Sequence, residues 1–133
     1  MKVLKTSKIE RLTKILEKLA SKTASGTPII VEGKKDVQAL KRLNVLGTTI
    51  TLKNTGKIIE DALDELQTSE VIVFVDFDDH GTELTKEILH HMERRGTRTN
   101  LVFWKQVRAL VRRDIKDVEG LPSYLNNLKQ KSI

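Results

Sequence analysis

A chain of 133 residues, 38% apolar and 32% charged, has the size and composition of one globular domain, and with only 4% aromatic residues its core must be aliphatic. The absence of cysteine excludes disulfides, thiolate nucleophiles and cysteine-ligated zinc. The formal charge of +6 is unevenly spread: residues 1–27 hold seven Lys/Arg against two Glu, residues 94–116 hold eight Lys/Arg against one Asp, and residues 57–93 are acidic.

Two basic blocks around an acidic centre suit a polyanion held near a metal-binding pocket; the plainer reading is two solvated helical faces. No apolar run approaches the ~20 residues that span a bilayer, so no membrane partner is expected. The first 18 residues form a charged helical pattern rather than a signal peptide, and a cytoplasmic location is expected.

In chain order, Ile9, Leu12, Leu16 and Leu19 predict a helix over Thr6 to Ser21 with a basic outer face. Ser25 to Pro28 breaks it. Ile29-Ile30-Val31 is a short, wholly apolar run, read as a strand buried on both faces. Val37, Leu40 and Leu43 mark a helix after Gly33, and β-branched Thr48 to Leu52 predicts a second strand. After a turn at Asn54-Thr55-Gly56, residues Ile58 to Leu66 predict another helix. Val71 to Val75 is the clearest strand. Leu84, Ile88, Leu89 and Met92 line a helix ending near Gly96. Thr99 to Trp104 predicts a fourth strand, and Val107, Leu110 and Val111 a short helix or turn. Leu121-Pro122 opens a last amphipathic segment with Tyr124, Leu125 and Leu128. Alternating strands and helices, with strands apolar on both faces, predict a parallel sheet covered by helices on both sides. The expected organisation is a basic amphipathic helix over 1–26 followed by an α/β domain over 27–133.

Ligands of such sheets bind beyond the carboxyl ends of the strands. Glu32 follows strand one; Asp76, with Phe77, Asp78 and Asp79, follows strand three. If those strands are neighbours, Glu32, Asp76 and Asp78 converge. Carboxylates at that density repel one another unless a cation neutralises them, and oxygen donors favour Mg²⁺ or Mn²⁺. Asp79, taken alone, reads as a polar loop residue.

Ile29-Ile30-Val31-Glu32-Gly33-Lys34-Lys35-Asp36 and, after two intervening strand–helix elements, Val73-Phe74-Val75-Asp76-Phe77-Asp78-Asp79-His80-Gly81 together resemble the Toprim domain of topoisomerases, bacterial primases, some repair proteins and the nuclease that matures 5S ribosomal RNA. The similarity covers roughly residues 27–115 and is nearest in look to small stand-alone Toprim proteins and that maturation nuclease. It implies a four-stranded parallel sheet of order 2-1-3-4, Mg²⁺ on Asp76 and Asp78 with Glu32 beside them, and Glu32 as the general acid or base of phosphoryl transfer. It also implies a nucleic-acid partner, RNA or DNA. Where many topoisomerases carry a third acid, this chain has His80. The single tyrosine, Tyr124, lies far from the motifs, so topoisomerase activity is not expected. The maturation nuclease's additional RNA-binding region has no room here, so a protein partner supplying accessory domains is a further expectation.

Lys34 and Lys35 open a helix beside Glu32, where an N-terminus favours phosphate. Lys53 and Lys57 flank the Asn54 turn at the same edge. Arg108, Arg112 and Arg113 are candidates to grip a nucleic-acid backbone. Trp104 caps the core or stacks on a base, the first reading being favoured. His90-His91 reads as solvated. Aspartyl-phosphatase and receiver folds fit poorly, and the phosphate-loop, Gly-x-Gly-x-x-Gly, Gly-x-Ser-x-Gly and His-Glu-x-x-His motifs are absent. The expectation is a metal-dependent nuclease, the alternative a non-catalytic nucleic-acid or ribonucleoprotein binding module.

Overall fold

A computed structural model describes residues 2–52 and 67–131, with side chains from Ser7 onward. The chain runs α1 (Lys2–Ala24), β1 (Ile29–Val31), α2 (Lys34–Arg42), β2 (Thr49–Thr51), β3 (Glu70–Val73), α3 (Asp79–Arg95), β4 (Arg98–Asn100), α4 (Val102–Val111) and α5 (Leu121–Lys131). The helix expected over Ile58 to Leu66, and Lys53, Asn54 and Lys57, lie outside the described residues.

The four strands form one parallel sheet in the order β2-β1-β3-β4. The chain moves one way from β1 to β2 and the other way from β3 to β4. Right-handed crossovers therefore put α2 and α3 on opposite faces. On the α2 side α1 packs against α4 and α5, and α5 against α2. Burial on both faces explains the unbroken apolar runs: Ile29, Ile30 and Val31, and Val71 through Val75, are all buried. Leu12, Leu16 and Leu19 of α1 join the same core.

Two elements differ from the sequence reading. Strand pairing in β3 stops at Val73, although the Phe74 N–H still donates to the Ile30 carbonyl at 2.9 Å. The fourth strand, expected over Thr99 to Trp104, ends at Asn100, and helix α4 starts at Val102. Asn100 makes the break. Its amide donates to Glu70 Oε2 (2.9 Å), while its Oδ1 accepts the Val102 N–H (3.0 Å) and so caps the first turn of α4. Leu101-Val102-Phe103-Trp104 has strand-like composition, but the local cap and the packing of Trp104 decide the outcome.

Gly96, at φ 75°, ends α3 in the left-handed conformation open to glycine. At the other end of the sheet, Glu70 is held by Lys22 and Arg98, each 3.1 Å from Oε1. A second tie joins α1 to the α4–α5 connection: the Lys8 ammonium and the Tyr124 hydroxyl both donate to Asp114 Oδ2, at 3.1 and 2.6 Å.

Candidate functional site

The β1–β3 register, with Ile30 opposite Val73, brings the residues after the two strands side by side. Glu32 is buried, and its Oε2 accepts the backbone N–H of Asp76 at 2.9 Å. Its other oxygen lies 3.7 Å from His80 Nε2, on an otherwise exposed imidazole. Asp76 is half-buried, and its Oδ1 accepts the Val118 N–H at 3.0 Å. Asp78 is the N-cap of α3: its Oδ1 accepts the Gly81 N–H at 2.8 Å. Asp36, buried at the start of α2, accepts the Gly33 N–H at 3.1 Å.

Asp76 feels this crowding directly. Burial pushes its carboxyl up to about 7; the Val118 hydrogen bond opposes that, and the charges of Glu32 and Asp36 add to it. A positive charge brought to this place would relieve the repulsion.

The acidic loop is braced from several directions. The Trp104 indole N–H is shared between the carbonyls of Val75 (3.0 Å) and Asp76 (3.2 Å), so this tryptophan is a buried brace rather than an exposed stacking platform. Arg108 Nε donates to the Phe77 carbonyl at 3.3 Å, and its guanidinium lies 5.5 Å from the Trp104 ring centre. The Phe77 N–H donates to the Lys116 carbonyl at 2.7 Å. Phe77 itself is buried, edge-on to Phe74 with ring centres 6.0 Å apart. Gly81 is required by close approach. A Cβ there would stand 1.9 Å from the Asp76 carbonyl oxygen, so only glycine lets α3 start so near the acidic loop.

Two clefts flank these carboxylates. One, of about 680 Å³, is lined by Asp78, Asp79 and His80 from the start of α3 and by Arg108, Arg112, Arg113 and Lys116 from α4 and the connection after it. The other, of about 410 Å³, lies between the start of α2 and the acidic loop, where Lys34, Lys35 and Asp36 meet Asp76, Asp117 and Glu119. Asp36 stands in the motif that carries the family resemblance but was given no role at the site, and Lys116, Asp117 and Glu119 were not singled out. Asp36 carried a usable signal, an acid three residues after Gly33 at a helix start. The other three stand in a connection with no periodic pattern.

The donor chemistry fits a hard divalent cation: Glu32, Asp76 and Asp78 offer only carboxylate oxygens. The geometry fits less closely. Among the described residues no three His, Asp or Glu side chains are gathered at metal-ligand spacing. One oxygen of each of the three carboxylates already accepts a main-chain N–H. No helix among the described residues is long and apolar enough to cross a membrane.

Comparison with known proteins matches residues 27–106 to the Toprim domain. A UPF0292 protein of Methanocaldococcus jannaschii is 37% identical over 118 residues, 88% of this chain and 91% of that protein. A UPF0292 protein of Thermococcus kodakarensis is 39% identical over 93 residues, 70% and 69% of the two chains. A solved structure of an Aquifex aeolicus protein superposes with a TM-score of 0.64 at 25% identity, covering 80% of this chain and 94% of the other.

Proposed function

Because this chain belongs to the Toprim-domain family, whose members typically bind Mg²⁺ and work on nucleic acids, we propose that it is a Mg²⁺-dependent phosphoryl-transfer domain, a nuclease acting on RNA or DNA. The observation that carries this reading is the cleft in which Asp78 faces Arg108, Arg112, Arg113 and Lys116. Polyanion binding alone needs the cations and gains nothing from the carboxylates.

Asp76 and Asp78, with Glu32, would hold Mg²⁺ or Mn²⁺, which when bound polarises a phosphate and stabilises charge on its oxygens. Arg112 and Arg113 hold the backbone across the cleft, and Lys34 and Lys35 offer phosphate contacts at the start of α2. Glu32 moves the proton, with one oxygen fixed by the Asp76 amide and the other turned towards His80. Arg108, bound to the Phe77 carbonyl, positions the loop more than it contacts substrate.

One observation favours the second reading, a binding module or a subunit completed by a partner: one oxygen of each of the three carboxylates is committed to a main-chain N–H, and among the described residues no three acidic or imidazole side chains are gathered at metal spacing. Glu32→Gln separates the two. The amide keeps the shape but takes up no proton, so a nuclease loses about 10²–10⁴-fold in cleavage rate while nucleic-acid affinity holds or tightens slightly. A pure binder has no cleavage to lose. Both quantities are measured on one labelled structured RNA and one DNA, at fixed salt, with Mg²⁺ and with chelator. Cleavage by Glu32→Gln at the wild-type rate removes the proton-transfer role.

A further inference from the structure

The two basic blocks, separate in sequence, meet in the fold. Helix α1 packs on α4, and between them runs a groove of about 450 Å³ with Arg11, Lys14 and Lys105 around it and Ile15 and Ala109 on its floor. We infer that this groove is a second nucleic-acid contact, taking the sugar–phosphate backbone of a strand where it leaves the acidic cleft. The inference rests on the nucleic-acid reading of that cleft and extends it to a helix outside the Toprim match at 27–106.

Three observations support it. Among the described residues the groove is lined by three cations and no carboxylate, and none of Arg11, Lys14 and Lys105 is in an ion pair. The nearest acid on the α4–α5 connection, Asp114, is already taken by Lys8 and Tyr124. Second, the groove and the cleft are both lined from α4 and its C-cap. Lys105 faces the groove; Arg108 and Arg112 face the cleft. At i, i+3 and i+7 on α4 these three project within roughly 60° of one another and span about 10 Å. One strand of phosphates can therefore pass from one site to the other along a single helix face. Third, apart from the cations and Gln106 the lining is aliphatic, and among the described residues it offers no ring on which a base would stack, so the contact is chiefly to the backbone.

The test is binding of labelled, mixed-sequence single strands of ~18 nucleotides, long enough to cover both sites, over a range of salt. Wild type is compared with the triple variant Arg11→Gln, Lys14→Gln, Lys105→Gln and with Lys105→Glu alone. These positions are exposed and glutamine keeps the helix and the aliphatic stem, so circular dichroism should not change. The triple variant is expected to bind roughly tenfold to a hundredfold more weakly at 0.1 M salt, with the slope of log affinity against log salt reduced by about two. Lys105→Glu alone shifts both in the same direction. An Arg112→Gln, Arg113→Gln variant and phosphatidylserine vesicles complete the set. A triple variant with the wild-type slope, while the Arg112/Arg113 variant loses its own, overturns the groove and leaves the cleft. Loss of vesicle binding with oligonucleotide binding intact assigns the groove to a membrane surface and overturns the inference. A wild type that binds no oligonucleotide overturns groove and cleft together.

Discussion

Asp76 is held half-buried between Glu32 and the 116–118 connection, and its carboxyl is pushed up to about 7 from an ordinary 3.8. A folded-state value above the unfolded one means that folding favours the protonated form. The resulting stabilisation is complete below about pH 4 and is lost as pH rises through about 7. Metal-free wild type should therefore lose thermal stability across that window. Asp76→Asn, whose amide oxygen still accepts from Val118, should lose less. Mg²⁺ bound there as proposed would compete with the proton, so its upward shift of the melting temperature should be larger at pH 8 than at pH 5. Thermal denaturation with and without Mg²⁺ measures both, and an equal Mg²⁺ shift in wild type and Asp76→Asn removes Asp76 from the proposed metal site. Glu32, Asp76 and Asp78 were legible because all three follow strands whose apolar runs are unmistakable. The cation wall of the cleft was legible only in part. Arg112 and Arg113 stood out as charge, whereas Lys116 is brought there by the Phe77–Lys116 main-chain bond, which no side-chain pattern announces.

At the level of elements, helix α4 departs most from expectation. Leu101 to Trp104 has the composition of a strand, and Asn100, reaching back to Glu70 and forward to Val102, turns the chain into a helix together with the packing of Trp104. The change reaches the acidic loop, since it aims the Trp104 indole N–H at the carbonyls of Val75 and Asp76. Trp104→Phe keeps an aromatic ring but strips the donor from two carbonyls at the acidic loop. The expected cost is about 1–3 kcal/mol, read by urea denaturation, together with weaker Mg²⁺ binding by calorimetry. Unchanged stability would show that water replaces the donor and that the brace is dispensable. Among the described residues, elements such as α3 were legible within a few residues because apolar periodicity and a glycine stop agree, as at Leu84 to Gly96.

For the molecule as a whole, strand order did not follow from the spacing of elements, which allows either neighbour for β1; the family resemblance implied it and the β1–β3 pairing realises it. Nor did the sequence disclose that its two basic blocks pack together, because contacts between α1 and α4 join residues about a hundred positions apart. Helix α1 is bound into the core by Leu12, Leu16 and Leu19, all buried. Removing residues 1–26 should therefore abolish cooperative unfolding rather than release a folded remainder, and Leu12→Ala alone should cost about 2–5 kcal/mol. Chemical denaturation of both forms checks this; a sharp transition in the shortened chain would make α1 an appendage.

Trp104 is the single tryptophan of the chain, and its indole nitrogen touches the carbonyl of Asp76 itself. The molecule thus carries an optical gauge at the place where its chemistry is proposed. Any ion or strand that shifts the acidic loop alters the surroundings of the one indole, which excitation at its red edge reads apart from Tyr124. Emission spectra of the unlabelled protein can follow occupancy of the site in real time.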